Sequence, residues 1–144
     1  MNLLSELKAI LENENDLIAN AANVSAFLYE NIPNLNWVGF YFLKGDELVL
    51  GPFQGKIACT RIKLGRGVCG TAFLEKKILN VPDVHLFEGH IACDSASRSE
   101  LVVPLYKGSL GIGVLDVDSP ILNRFDFQLE VFFRESGGLF LDRI

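Results

Sequence analysis

The chain has 144 residues, 49% of them hydrophobic and 22% charged, and a net charge of −5. That length predicts one domain with a single core; the composition excludes a disordered chain, and no apolar run approaches the ~18 residues of a membrane span. With no basic cluster beyond Lys76-Lys77, neither a nucleic-acid backbone nor an anionic membrane is an expected partner.

The stretch Met1 to Lys8 has an acidic residue within its apolar run and no basic start, so no secretory signal is expected and the cytoplasm is the expected compartment. Leu3, Leu4, Leu7, Ile10 and Leu11 repeat at helical spacing and predict a first amphipathic helix. Leu17, Ile18, Ala21, Ala22, Phe27 and Leu28 predict a second, with Asn13 to Asn15 between the two. Pro33 closes this helical region, and the aromatic-rich run Asn36 to Leu43 predicts a strand. Lys44-Gly45-Asp46 reads as a hairpin turn into a short strand, Glu47 to Leu50.

Lys56 to Leu64 predicts a third strand, followed by three glycines within Gly65 to Gly70 and a short helical stretch, Thr71 to Glu75. Ile78 to Val81 is a brief strand ending at Pro82. Asp83 to Arg98 has no clear periodicity and reads as a long loop, the kind of segment that carries function in compact domains. Leu101 to Tyr106 and Leu110 to Val117 predict two apolar strands joined at Lys107-Gly108-Ser109. Asp126 caps a final helix with Leu129, Phe132 and Phe133 on one face, and Gly137-Gly138 predicts that it frays or bends there. This order predicts an α+β fold: one antiparallel sheet of about six strands, with the N-terminal and C-terminal helices packed on one side, in a single domain over residues 1–144.

Three cysteines, Cys59, Cys69 and Cys93, argue against a closed disulfide framework and fit a reducing compartment in which any disulfide is transient. Cys93 lies in the small, polar run Ala92 to Ser97 of the long loop, where an accessible nucleophile is useful and a packing cysteine is out of place. Its neighbour Asp94 by itself disfavours a thiolate. Cys59 falls on the third predicted strand with Arg61 on its face, which favours ionisation, although a packing role reads equally well. Cys69 sits inside the glycine-rich turn and, taken alone, reads as structural.

Glu100, Asp116 and Asp118 form a second constellation, because the two aspartates are two apart on one strand and share a face. A three-residue hairpin loop, Lys107 to Ser109, puts Glu100 opposite Asp116; a two-residue loop sends Glu100 to the other face. Carboxyls converging on one face raise one another's pKa and can keep a proton at neutral pH, as an acid catalyst must. Trp37 and Tyr41, four apart with Gly39 between them, share a strand face and read either as core or as the walls of a cleft for an apolar methyl group. His85, His90 and Cys93 lack a CxxC, an HExxH or a further ligand pair, so no metal is expected, and Gly65 to Gly70 matches neither a Walker A loop nor a dinucleotide fingerprint.

NWVGFY at Asn36 to Tyr41, GPFQGKIAC at Gly51 to Cys59, GRGVCG at Gly65 to Gly70, HIACDSASRSELVVP at His90 to Pro104 and GVLDVDS at Gly113 to Ser119 together resemble the GAF-domain free methionine-(R)-sulfoxide reductases over nearly the whole chain. The fold alone implies little about activity. The resemblance implies Cys93 as the catalytic cysteine, Cys59 as the principal resolving cysteine and Cys69 as an additional recycling cysteine. It implies that Glu100, Asp116 and Asp118 hold the polar end of the substrate and polarise the sulfoxide, with Trp37 and Tyr41 around its methyl end. The implied reaction is reduction of free methionine sulfoxide through a sulfenic acid and a redox-active disulfide, recycled by a thioredoxin-like dithiol, with no metal or organic cofactor. A homodimer is the assembly allowed for. The competing expectation is a GAF-type small-ligand or redox-sensing module whose cysteines oxidise without turnover.

Overall fold

The computed structural model describes residues 2–90 and 95–144. Two helices open the chain, α1 (Leu3–Leu11) and α2 (Leu17–Asn31). Asn2 and Asp16 cap them, each side-chain oxygen accepting from a first-turn N–H, Leu4 at 2.9 Å and Ala19 at 2.9 Å. Then come β1 (Trp37–Lys44), β2 (Glu47–Gly55), β3 (Arg61–Lys63), α3 (Gly67–Glu75) and β4 (Leu79–Val81). A 3₁₀ turn (Val84–Leu86) follows, then β5 (Ser99–Lys107), β6 (Leu110–Ser119) and α4 (Phe127–Leu141), capped by Asp126. The strands form one six-stranded sheet, order β3-β2-β1-β6-β5-β4, with every pair antiparallel.

The sheet is covered on both faces, which is why its central strands read as nearly continuous apolar runs. On one face, Val38, Phe40, Leu101, Leu115 and Val117 meet Leu7, Leu28, Phe133 and Phe140 of α1, α2 and α4. The predicted helical side of the α+β fold is this layer. On the other face, Trp37, Tyr41, Val102 and Val114 meet Val68, Cys69 and Phe73 of α3. Strand alternation sorts neighbouring residues between the two layers.

Four expectations change. The strand begun at Glu47 runs on to Gly55, because Pro52 falls beyond the part of β2 that β3 pairs, Glu47 to Val49, and so withdraws no hydrogen from that ladder. The third strand shrinks to Arg61–Lys63, since the carbonyls of Lys56 and Cys59 accept from the Trp37 and Tyr41 side chains instead of a neighbouring strand. Helix α3 starts at Gly67, four residues early, which places Cys69 in its first turn. Helix α4 runs unbroken through Gly137 and Gly138, and a Cβ on Gly137 would come 3.0 Å from Leu105 Cδ2, so this glycine seats the helix on the sheet.

Candidate active site

The β5–β6 hairpin decides whether the three carboxyls meet. Its loop has two residues, Lys107 pairing Leu110 and Tyr106 pairing Gly111, which by itself would turn Glu100 away from the aspartates. A bulge at Ile112 shifts the register by one, so Leu105 pairs Gly113 and Glu100 stands opposite Asp118, with Asp116 opposite Val102. The shared face therefore holds, while the expected pairing of Glu100 with Asp116 is corrected to Asp118. On the other flank of β6, Trp37 faces Asp118 and Gly39 faces Asp116. Glu100, Asp118 and Trp37 thus make one row across three strands, and the Cys69 thiol reaches the cluster from α3.

A pocket with about 50 Å³ of free space opens here, room for on the order of three or four water positions. Glu100, Asp116 and Cys69 line it together with Asp118, and all four are buried, at 4 to 8% exposure. The Trp37 and Tyr41 rings stack 5.9 Å apart along one wall, and Phe53 backs Trp37 at 5.1 Å. Gly39 keeps that wall open, since a Cβ there would lie 2.8 Å from Trp37 Cη2. Cleft wall and core thus prove to be one role: both aromatics are buried and both face the pocket.

Burial raises the Glu100 and Asp116 carboxyls well above the ordinary range; next in weight are the Asp116 charge on Glu100 and the Asp118 charge on Asp116. Hydrogen bonding couples the three carboxyls, the Asp116 bond raising Glu100 and the Asp118 bond lowering it. Asp116 Oδ1 is buried without a hydrogen-bond partner, so the cluster has an acceptor to spare. Cys69, free and buried, has Sγ 3.9 Å from Glu100 Oε2. Burial and then the Asp116 charge push its thiol up, which keeps Cys69 protonated. Burial pushes Tyr41 up as well, so its hydroxyl stays a donor. By distance, Cys69, Glu100 and Asp116 could also hold a metal, offering three ligand atoms within 4.8 Å of one another.

Cys59 departs from its expected setting. It is half-buried on the non-strand segment after β2 and is disulfide-bonded. Arg61 does not serve it, because that guanidinium is exposed and pairs with Glu47 at 2.7 Å. Cys93 lies outside the described residues. Its flanks do not: His90 and Ser97 both line the pocket, and Ser97 Oγ accepts from Asn36 Nδ2 at 2.9 Å. Of the histidines, exposed His85 pairs with Asp83 at 3.2 Å, while burial and the neighbouring His85 lower His90.

Sequence reasoning missed Arg66, Ser97 and the non-metal place of His90 on the wall, and it missed Asn36 as the anchor of Ser97. His90 and Ser97 bracket the Cys93 run, a signal available in the sequence. For Arg66 the signal was weaker, a residue just before a helix start that was placed four positions late.

A GAF-domain family model matches residues 6–136. Free methionine-R-sulfoxide reductase of Escherichia coli is 51% identical over 134 residues, covering 93% of this chain and 81% of the relative. The Saccharomyces cerevisiae protein of the same name is 39% identical over 145 residues, covering 95% and 81%. Among solved structures, free methionine-R-sulfoxide reductase from Neisseria meningitidis in complex with its substrate matches with a TM-score of 0.94 at 45% identity, over 98% of this chain and 85% of that one. A six-stranded sheet with this acidic pocket, a matching domain model and relatives of this identity over nearly the full chain lead to one assignment: the chain belongs to the GAF-domain family of free methionine-R-sulfoxide reductases.

Proposed function

We propose that this chain reduces free methionine-(R)-sulfoxide to methionine, with Cys93 as nucleophile and Glu100 as acid. The observation that carries the reading is the buried cluster of Glu100, Asp116 and Asp118 in a pocket also lined by Trp37 and Tyr41. Substrate complexes of relatives at 45% identity support the choice of substrate. The chain on either side of Cys93 starts from and returns to the pocket wall, three residues from His90 and four from Ser97.

The Cys93 thiol attacks the sulfoxide sulfur, and the S–O bond breaks as oxygen passes to the cysteine. Thiol and sulfoxide become sulfenic acid and thioether, a two-electron exchange. The oxygen needs a hydrogen bond or proton as its bond to carbon-bound sulfur weakens. Glu100, a buried carboxyl held well above its ordinary range, is placed to supply it, and Asp116 and Asp118 accept the substrate ammonium. A residue inside a peptide has no such ammonium, which accounts for a preference for the free amino acid. Trp37 and Tyr41 enclose the methyl end.

The sulfenic acid and the Cys59 thiol then condense to a disulfide and water, with Cys69 as a second, slower route because its thiol stays protonated. A thioredoxin-like dithiol reopens the bond by exchange and is itself oxidised. The cytoplasm supplies such dithiols. No helix among the described residues is long and apolar enough to cross a membrane.

Incubation with free methionine sulfoxide and dithiothreitol or thioredoxin, with methionine release followed, tests the reading. Turnover by the unmodified chain and none by Cys93→Ser is expected. Oxidation of the cysteines without methionine release would favour the redox-sensing module, and release by Cys93→Ser would remove Cys93 from the reaction.

A further inference from the structure

We propose that Tyr41, with Trp37, is a positioning residue for the resolving cysteine, tethering the Cys59 segment by side-chain hydrogen bonds. The inference rests on the reading of Cys59 given above and adds a second task to two residues assigned there only to the pocket wall.

Residues 56–60 lie between β2 and β3 in neither strand. The segment covers little apolar surface beyond Ala58, and the neighbouring Ile57 is 89% exposed. Besides the disulfide at Cys59, its fixed points come from β1 beneath it. Trp37 Nε1 donates to the Lys56 carbonyl at 3.1 Å, and the Tyr41 hydroxyl donates to the Cys59 carbonyl at 2.8 Å. A bond from the Leu50 N–H to the Thr60 carbonyl at 2.9 Å closes the far end. Both aromatic donors are rigid, since their rings are buried and stacked on each other and Trp37 is backed by Phe53. One tether ends on the cysteine itself, so it fixes the residue whose sulfur must reach the sulfenic acid.

The step affected is condensation, in which the Cys59 thiol sulfur bonds to the Cys93 sulfur and the sulfenic oxygen leaves as water. Its rate follows the effective concentration of the thiol, which falls when an attached segment gains freedom. Disulfide stability falls for the same reason, because more chain entropy is lost on closure. Tyr41→Phe keeps the ring and removes only the donor.

Two measurements test the tether. In rapid mixing with one equivalent of substrate, the ratio of the disulfide-closure rate to the methionine-release rate is expected to fall roughly two- to ten-fold in Tyr41→Phe, the range set by one hydrogen bond. A dimedone trap should catch correspondingly more sulfenic acid. Equilibration against reduced and oxidised dithiothreitol, read by mass after alkylation of Cys59, should shift toward the dithiol by a similar factor. An unchanged ratio together with an unchanged equilibrium overturns the proposal, as does a slowing confined to methionine release. The equilibrium needs no turnover, so it judges the tether even if methionine release fails, a failure that would count against the reaction.

Discussion

On the face covered by α1, α2 and α4, the buried polar groups are neutral and satisfied: Ser25 and Ser136 donate to the Ala21 and Phe132 carbonyls, and Asn20 to the Glu14 carbonyl. On the face covered by α3, the same strands bury Glu100, Asp116 and Asp118 beside a thiol, and one oxygen of Asp116 has no partner. Strands β5 and β6 serve both faces at once, since Leu101, Leu115 and Val117 alternate with the acidic positions. The contrast separates two requirements. The helical face supplies stability, and the α3 face spends part of it on carboxyls whose charge the interior disfavours.

Substitutions should therefore have opposite signs on the two faces. The largest effect is expected from Phe40→Ala. Phe40 is fully buried on the helical face, with ring centroids 4.6 Å from Phe140 and 5.8 Å from Phe42. A loss of about 3–5 kcal/mol in urea unfolding is expected, and a loss below about 1 kcal/mol would mean this layer is not the main support.

Asp116→Asn is expected to stabilise instead. Glu100 and Asp116 have folded-state pKa values raised above those of the unfolded chain, so the fold holds protons that the unfolded chain releases near pH 4 to 5. Their contribution to stability is whole below that point and is lost as pH rises toward the folded-state values. The slope is about 1.4 kcal/mol per pH unit for each extra proton held. Thermal unfolding across pH 4 to 8 should show the unmodified chain losing stability with rising pH and Asp116→Asn losing less. A steeper fall in the variant would contradict the assignment.

The smallest effect is expected at Arg61, whose pair with Glu47 is 61% exposed on the arginine side. Arg61→Ala should change stability by less than about 0.5 kcal/mol and leave the alkylation rate of reduced Cys59 unaltered. A marked drop in that rate would restore the arginine to the role that strand alternation assigned it.

That misassignment shows where the sequence was legible. Leucine spacing located α1 and α2, and the Asp126 cap with the Leu129 and Phe133 spacing located α4, since these are local signals, whereas α3 has no side-chain cap and was begun four residues late. Alternation paired Trp37 with Tyr41 and Asp116 with Asp118, each pair on one face of its own strand, and the β1–β6 pairing makes the two faces one. The bulge at Ile112 was not legible: it compensates a two-residue turn, and only the packed sheet determines where the extra residue goes. The Cys59 segment was misread because its β-like composition is overruled by two side-chain donors from a strand distant in sequence. The cation expected at Cys59 went to Glu47, and what decides the pocket's chemistry is burial, a tertiary property that residue types only foreshadow.

The central claim, that a proton kept on Glu100 assists departure of oxygen, is tested most directly by single-turnover methionine release from Glu100→Gln at saturating substrate. The account expects the rate to fall by about 10²–10⁴, with the melting temperature at pH 8 unchanged or higher because a disfavoured charge has gone. A folded variant releasing methionine within about three-fold of the unmodified rate would contradict it.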